Sequence, residues 1–534
     1  MGDVARWYAG RSVLVTGGTG FMGKVLLEKL LRSCPDIGKV YILCRAKRGL
    51  TPKARLAEFS KLPVFERLRK ECPAQLSRLH IIEGDILQAN LGIKDSDLLM
   101  LQEEVSVVFN GAASLKLEAE LKENVAANTR GTQRLLDIAL KMKKLVAFIH
   151  FSTAFCHPDQ KVLEEKLYPS PVSPHDIMRA MEWMDDETIK QLTPKILGPH
   201  PNSYTFTKRL TETLVDEYKT KLPVVIVRPS IVLPSFQEPV PGWVDSLNGP
   251  VGVLVASGKG VVRSMMCGAE FVFCRTSDFA IGHGHPVIPT NNSIRDFGIF
   301  TNNYAKFKGP RLNDLSTETQ VFNISSNEVE AITWGEIISR GKQLIYQYPL
   351  EAGLWYPNGQ IRSNRFWHYF FVIFTQILPA YLVDFIMVLI RQKTFLVRVQ
   401  NRIWLGMHLL EYFTTRNWDF KNKRLLALHD NISEKDKQTF YIANIDVNID
   451  DYLKTIILGA RQYCLKEPLT TLPKARRQIK FLYVLDRIGH ALILFLLGWL
   501  LMKSVFLLEY LLQNATQGNF KLPFTSSTSV FMKT

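Results

Sequence analysis

The sequence predicts an α/β protein built on a doubly wound parallel sheet, followed by a helical, membrane-associated C-terminal region. Three observations carry that expectation. Short β-rich runs alternate with helical patterns through residues 11–230. A glycine-rich turn joins the first run to the first helix. After residue 365 the chain becomes helical and strongly apolar.

Six runs read as strands in chain order: Val13-Leu14-Val15, Val40-Tyr41-Ile42-Leu43, Leu79-His80-Ile81-Ile82, Val107-Val108-Phe109, Phe148-Ile149-His150-Phe151 and Val224-Val225-Ile226-Val227. Each is too short for a helix, and most have turn residues or charges close by. Stretches such as 24–32 and 128–141 carry helical spacing between them.

In the C-terminal third, residues 488–508 hold a single charge, Lys503. At 1.5 Å per residue this run spans about 31 Å, close to the ~30 Å hydrocarbon core, so a transmembrane or inserted helix is expected. Residues 366–390 also hold one charge, Asp384, and a proline at 379. A carboxylate at mid-span costs roughly 2.5–3.5 kcal/mol, and proline interrupts the helical ladder. That segment is therefore expected as a bent, membrane-associated or buried helix pair. Its aromatic-rich first half suits a bilayer interface better than a bilayer centre. Lys474, Arg476, Arg477 and Lys480 precede the last apolar run, whereas Lys521 and Lys533 follow it. The positive-inside rule then leaves the large N-terminal part facing the cytosol.

The composition narrows the function classes. With 534 residues, 46% hydrophobic and 22% charged, the chain is neither disordered nor a small disulfide scaffold. Seven cysteines form no C-x-x-C pair, which suits free thiols in a reducing compartment, with no zinc site. The net charge of +16 is spread out, without an aromatic-interleaved RNA motif or zinc-finger spacing. No nucleic-acid partner is expected. The opening Met-Gly-Asp-Val-Ala-Arg-Trp-Tyr has no apolar run, so no cleavable secretory signal is expected. Arg6 stands where a myristoylation signal carries Ser or Thr.

Thr16-Gly17-Gly18-Thr19-Gly20-Phe21-Met22-Gly23 follows the first strand and opens the first helix. Glycines at 17, 20 and 23 permit a sharp turn, close approach to a pyrophosphate and tight packing of helix on strand. The helix N-terminus then offers free N–H groups to an anion. This makes the sheet Rossmann-type. After the second strand the sequence reads Cys44-Arg45-Ala46-Lys47-Arg48, without the carboxylate that would bind a ribose 2′-hydroxyl. Arg45 and Arg48 suit a 2′-phosphate, so NADPH is the expected cofactor. Asp85, after the third strand, is placed for the adenine amine. Asn110, ending the fourth strand before Gly111-Ala112-Ala113, allows close cofactor approach.

Tyr204 and Lys208 lie four apart in Asn202-Ser203-Tyr204-Thr205-Phe206-Thr207-Lys208, on one face if helical. A neighbouring ammonium is expected to lower the tyrosine's pKa toward the working range of an acid–base catalyst. Upstream, Ser152-Thr153 closes the fifth strand and can supply a hydroxyl that polarises a carbonyl. No His/Cys/Asp set with metal-ligand spacing appears, and no metal is expected.

Together these motifs resemble the extended short-chain dehydrogenase/reductases, and within them the animal, insect-like fatty acyl-CoA reductases. The matching stretches are residues 16–23, 45–49, 83–85, 151–155, 201–208 and 227–232 (which includes Pro229). Residues 322–324 and 332–336 match later in the chain. The resemblance implies NADPH-dependent reduction of a long-chain acyl-CoA to a primary alcohol through an aldehyde. It carries over Tyr204 and Lys208 as the catalytic pair and Thr153 as the hydroxyl. For the cofactor it adds Pro229 to Thr16, Gly17, Gly20, Phe21, Gly23, Arg45, Arg48, Asp85 and Asn110.

The expected organisation is a reductase domain over 10–268, the rest of a substrate lobe over 269–360, a helical domain over 361–470 and the inserted helix over 488–508. A membrane location follows, endoplasmic reticulum or peroxisome, with membrane lipid as a partner and no oligomeric state implied. Between about residues 268 and 308 the sequence departs from the family: Gly, His, Asn and Thr punctuate a stretch where relatives carry an apolar helix. Two other functions stay open on the sequence, an extended reductase or epimerase with another substrate and a catalytically silent nucleotide-binding membrane protein.

Overall fold

The computed structural model describes residues 2–45, 50–273, 318–325, 332–440 and 448–516. Seven parallel strands form the main sheet: β1 Ser12–Thr16, β2 Val40–Cys44, β3 Leu79–Glu83, β4 Val105–Asn110, β5 Ala147–Phe151, β6 Val224–Pro229 and β7 Gln320–Ile324. Their order is β3-β2-β1-β4-β5-β6-β7. Alternate residues of β1 enter two different cores. Val13 and Val15 join the cluster packed with Val25, Leu27 and Leu30, while Leu14 faces the cluster of Leu135, Phe148 and Leu210. With both faces covered, the middles of the central strands are apolar on both sides.

The first six strands lie where the sequence puts them. The seventh pairs with β6 from Val225↔Gln320 to Pro229↔Ile324. It was not among the expected strands, because it lies about 90 residues beyond β6 and polar Asn323 interrupts its apolar run. The departing stretch 268–308 lies largely outside the described residues, as does Arg48.

The helices that matter below are α1 Phe21–Ser33, α2 Ser203–Asp216, α3 Trp334–Gln347, α4 Arg365–Val372, α5 Leu378–Leu389, α6 Leu396–Thr414, α7 Ile449–Gly459 and α8 Leu472–Thr516. A π turn at Ile373–Ile377 links α4 to α5 and takes up the ladder defect ahead of Pro379. Arg365–Leu389 and Leu469–Gln513 are long and apolar enough to cross a membrane.

The C-terminal helices close on the sheet beside Thr153. Phe155 meets Phe413, Trp418 and Phe420 edge-on, at centroid distances of 5.3, 5.2 and 5.3 Å. The Glu165 carboxylate accepts the N–H groups of Arg424 and Leu425, at the start of the helix Lys423–Asn431, and of Asn323 in β7.

Candidate active site

The sheet order reverses between β1 and β4, and this opens a crevice at the carboxyl ends of the strands. The glycine turn lines it. Gly17 has φ +73, and a Cβ there would lie 2.7 Å from the Gly111 backbone. A Cβ on Gly23 would lie 2.3 Å from the Gly17 carbonyl. Both positions therefore exclude a side chain, as a turn that brings backbone against a pyrophosphate requires. Gly20 is the N-cap of α1, and the first N–H groups of that helix have no intrahelical acceptor.

Thr16 and Asn110 act on each other. The Thr16 hydroxyl donates to Asn110 Oδ1 at 3.0 Å and accepts the Ala112 N–H at 3.2 Å, fastening the ends of β1 and β4 across the crevice. Asn110 also reaches Thr132 and His150. The Phe21 ring stacks on Trp243, with centroids 5.0 Å apart, so its side chain braces the turn from outside. The Asp85 carboxylate accepts the Leu87 N–H at 3.0 Å in a local turn just past β3.

Arg45 is exposed beyond β2. A second cation, which the sequence reading missed, lies beside it. Arg55 donates to the Arg45 carbonyl and lies 3.4 Å from the Cys44 sulfur. It belongs to the helix Pro52–Ser60, ten residues away in sequence, so only the fold shows that it reaches the strand end.

The second half of the site hangs on α2. Asn202 caps this helix, its side-chain oxygen accepting the Thr205 N–H at 3.0 Å. Tyr204 therefore falls in the first turn and Lys208 one turn later. The Lys208 ammonium donates to the Phe151 carbonyl at the end of β5, 2.6 Å away. Thr153, two residues beyond β5, lies beside the Tyr204 phenol. Its hydroxyl also lies 3.4 Å from the Pro229 carbonyl at the end of β6. The fold thus gathers Tyr204, Lys208, Thr153 and Pro229 at the ends of β5 and β6, beside the crevice.

The electrostatics differ from the expectation in one respect. Burial raises the Tyr204 pKa, with Cys156 adding to the rise and the Thr153 hydroxyl opposing it. Lys208 is not among the groups that lower it, and its ammonium donates to the Phe151 carbonyl. Burial brings Lys208 itself down to about 8, against Cys156 and Glu212, which raise it.

Behind the pair lies a buried network that the sequence did not reveal. Burial opposes ionisation of Glu212, yet Arg228 and then His157 hold its carboxyl well below the usual range. Arg228 donates to both Glu212 oxygens, at 2.8 and 2.6 Å. His157 Nε2 lies 2.9 Å from Glu212 and 3.1 Å from Arg228, and the Cys156 thiol donates to Glu212 at 3.3 Å. Cys156, His157 and Glu212 sit as close as metal ligands do. The guanidinium among them fills the cation's place and both carboxylate oxygens, so the donor set does not suit a metal. Asn128 is a further residue the sequence did not mark. From a π turn it bonds Ser114, after β4, and Thr207 on α2.

The strand order and the glycine-lined crevice define a nicotinamide-dinucleotide-binding protein. Family models described as "Male sterility protein" match residues 15–280 and 375–467. A Drosophila melanogaster protein provisionally named a fatty acyl-CoA reductase is 36% identical over 480 residues, 90% of each chain. Fatty acyl-CoA reductase 1 of Gallus gallus is 34% identical over 499 residues, 93% of each chain. The chain belongs to the fatty acyl-CoA reductase family, a family of oxidoreductases. Among solved structures, the terminal R domain of the myxalamid pathway aligns with a TM-score of 0.54 at 17% identity, covering 86% of this chain and 93% of that one. The reductase domain of a nonribosomal peptide synthetase from Mycobacterium tuberculosis gives 0.52 at 18%, covering 85% and 92%. Both share the fold.

Proposed function

We propose that this protein reduces a long-chain acyl-CoA to the primary alcohol at the expense of NADPH, through an aldehyde and with release of CoA. The observation that carries the reading is the meeting of Tyr204, Thr153 and Lys208 beside the glycine crevice. Gly17, Gly20 and Gly23 would hold the pyrophosphate, with Asp85 and Asn110 nearby. Arg45, joined by Arg55, would face a 2′-phosphate. Bound there, the reduced nicotinamide supplies hydride to the carbonyl carbon.

The chain's own residues handle the protons. Tyr204 donates its phenolic proton to the carbonyl oxygen as negative charge develops, while the Thr153 hydroxyl orients the phenol. For the thioester this produces a hemithioacetal. Withdrawal of its hydroxyl proton by the tyrosinate breaks the C–S bond, and the thiolate leaves as CoA after taking up a proton. The aldehyde, once a second NADPH has replaced the oxidised cofactor, would take a second hydride at carbon and a second proton from Tyr204 at oxygen. In each round Lys208, turning from the Phe151 carbonyl toward the newly formed tyrosinate, stabilises it together with the positive end of α2.

Family membership supports the substrate class, and the apolar helices support a membrane setting. In this reading the reductase lobe over 10–268 and the remaining lobe over 269–360 face the cytosol. The helical domain over 361–470 and the inserted helix over 488–508 hold them on the endoplasmic reticulum or the peroxisome. The test is to add palmitoyl-CoA to the purified protein and NADPH, and to follow cofactor oxidation, free thiol and hexadecanol together. Two NADPH consumed per thiol and per alcohol is the expected result. Cofactor oxidation without thiol release would overturn the reading.

A further inference from the structure

Helices α4 and α5 are built inside out. Every fourth residue is buried: His368, Val372, Gln376, Ala380 and Asp384, three of them polar. The outer face carries Phe366, Phe370, Phe374, Leu378, Leu382 and Phe385, all exposed. A helix packed on a protein in water shows the opposite pattern, apolar side inward. Two of the buried polar groups have defined tasks. His368 hydrogen-bonds Ser264 at 2.9 Å. Asp384 accepts the N–H groups of Phe395, Leu396 and Val397 at 3.2, 3.0 and 2.9 Å, so it caps the N-terminus of α6 from the preceding helix.

That cap turns the chain back on itself. The Tyr369 ring packs against Trp404, Arg365 pairs with Glu411 at 3.0 Å, and α6 returns into the catalytic body. Gln400 donates to the Val261 carbonyl, and Thr414 donates to the Met266 carbonyl. A segment that enters from the body and returns to it cannot have crossed a bilayer once between the two. The segment 261–266 also receives α8, through Arg263 and Asp486. The inside-out face and the apolar α8 therefore leave the body from one edge.

We infer that α4–α5 is a monotopic lipid-facing surface, lying in the leaflet on the catalytic side, and that α8 is the element that crosses. The partner is a bilayer leaflet bearing anionic headgroups. The exposed apolar face meets the acyl region, while Arg391, Lys393, Arg398 and Arg402, at the turn and along α6, meet the headgroups.

The experiment uses the full-length chain and is independent of its catalytic activity. Lys393→Cys at the turn and Lys70→Cys on the body are labelled in sealed microsomes with a membrane-impermeant maleimide, with the unmodified chain as blank. The two positions should label to the same extent before permeabilisation. In parallel, a nitroxide on Leu382→Cys in phosphatidylcholine–phosphatidylserine vesicles should be relaxed by oxygen and shielded from a water-soluble nickel chelate. Labelling of Lys393→Cys on the side opposite to Lys70→Cys would make the segment a true span and overturn the inference. So would a Leu382 nitroxide open to nickel, or one shielded from both agents, the mark of a protein partner.

Discussion

Helix α2 and the helix pair α4–α5 both carry stripes of residues spaced by four, and they treat polarity differently. On α2 the apolar stripe of Phe206, Leu210 and Leu214 is buried in the core. The polar stripe, Tyr204, Lys208 and Glu212, faces protein partners that satisfy it: Thr153, the Phe151 carbonyl and Arg228. On α4–α5 the buried His368 and Asp384 are satisfied in the same way, yet the apolar stripe stays exposed among the described residues. Hydrogen-bond partners decide which polar groups go inward. The surrounding medium decides where the apolar ones go.

The sharpest way to break this comparison is to put one charge on each apolar stripe. Leu210 is 0% exposed and Leu382 is 59% exposed. Leu210→Asp buries an unpaired carboxylate and should abolish folding, because the cost is several kcal/mol against a total stability of about 5–15 kcal/mol. Leu382→Asp should leave the melting temperature in detergent unchanged and weaken the hold on lipid vesicles. Thermal melts and vesicle flotation of both variants check the pair. Equal loss of folding in the two would mean that α4–α5 is a core element.

The polar stripe of α2 is tested by Tyr204→Phe. Removal of a general acid should lower turnover about 10²–10⁴-fold. NADPH affinity should stay within a few-fold, since the phenol acts on the carbonyl. Turnover within about tenfold of the parent would remove Tyr204 from the mechanism. A cofactor titration by fluorescence and a steady-state assay separate the two effects.

How much of this was legible in the sequence depended on how local each signal is. The glycine turn, six of the seven strands and the Tyr204/Lys208 spacing are short-range patterns, and they fold as read. Arg55, Arg228 with Glu212 and His157, and Asn128 come together only through the sheet. No spacing rule joins residues 157, 212 and 228. The sequence treats Asp384 as an energetic burden on a span. Its role as cap to a helix that begins twelve residues later requires the fold-back, which composition does not encode. The direction of the Tyr204 shift is set by burial, with Cys156 adding to it and Thr153 opposing it, and none of these is written in Y-x-x-x-K.

Lys208 gives a pH test with two opposed readouts. Its folded pKa is near 8, below the usual lysine value, because the site is buried. Catalysis that needs the ammonium should decline as pH rises through about 8, not through the ~10.4 of a free lysine. Between those two values the unfolded chain binds a proton that the folded chain lacks. The Lys208 contribution to stability should therefore rise with pH over the same interval. Rate profiles and denaturant melts of the parent and of Lys208→Met check both signs. A rate and a stability that fall together would assign the limb to another group.

The smallest expected effect lies at the end of β2, where the partners are exposed and solvent screens them. Arg45→Asp replaces a cation that suits a 2′-phosphate with an acceptor that suits a ribose 2′-hydroxyl. A hydrogen bond to a charged group is worth about 1.5–3 kcal/mol, so the ratio of kcat/KM for NADPH over NADH should fall roughly 10- to 100-fold. Arg55→Leu supplies the comparison. It removes the guanidinium beside Cys44 without adding an acceptor, so it should weaken NADPH use and leave NADH use alone. If Arg55→Leu shifts the ratio and Arg45→Asp does not, the phosphate is gripped from the helix Pro52–Ser60 and not from the strand end. If neither moves it, the choice of NADPH is wrong for this crevice, while the glycine cradle and the Tyr204 chemistry still stand.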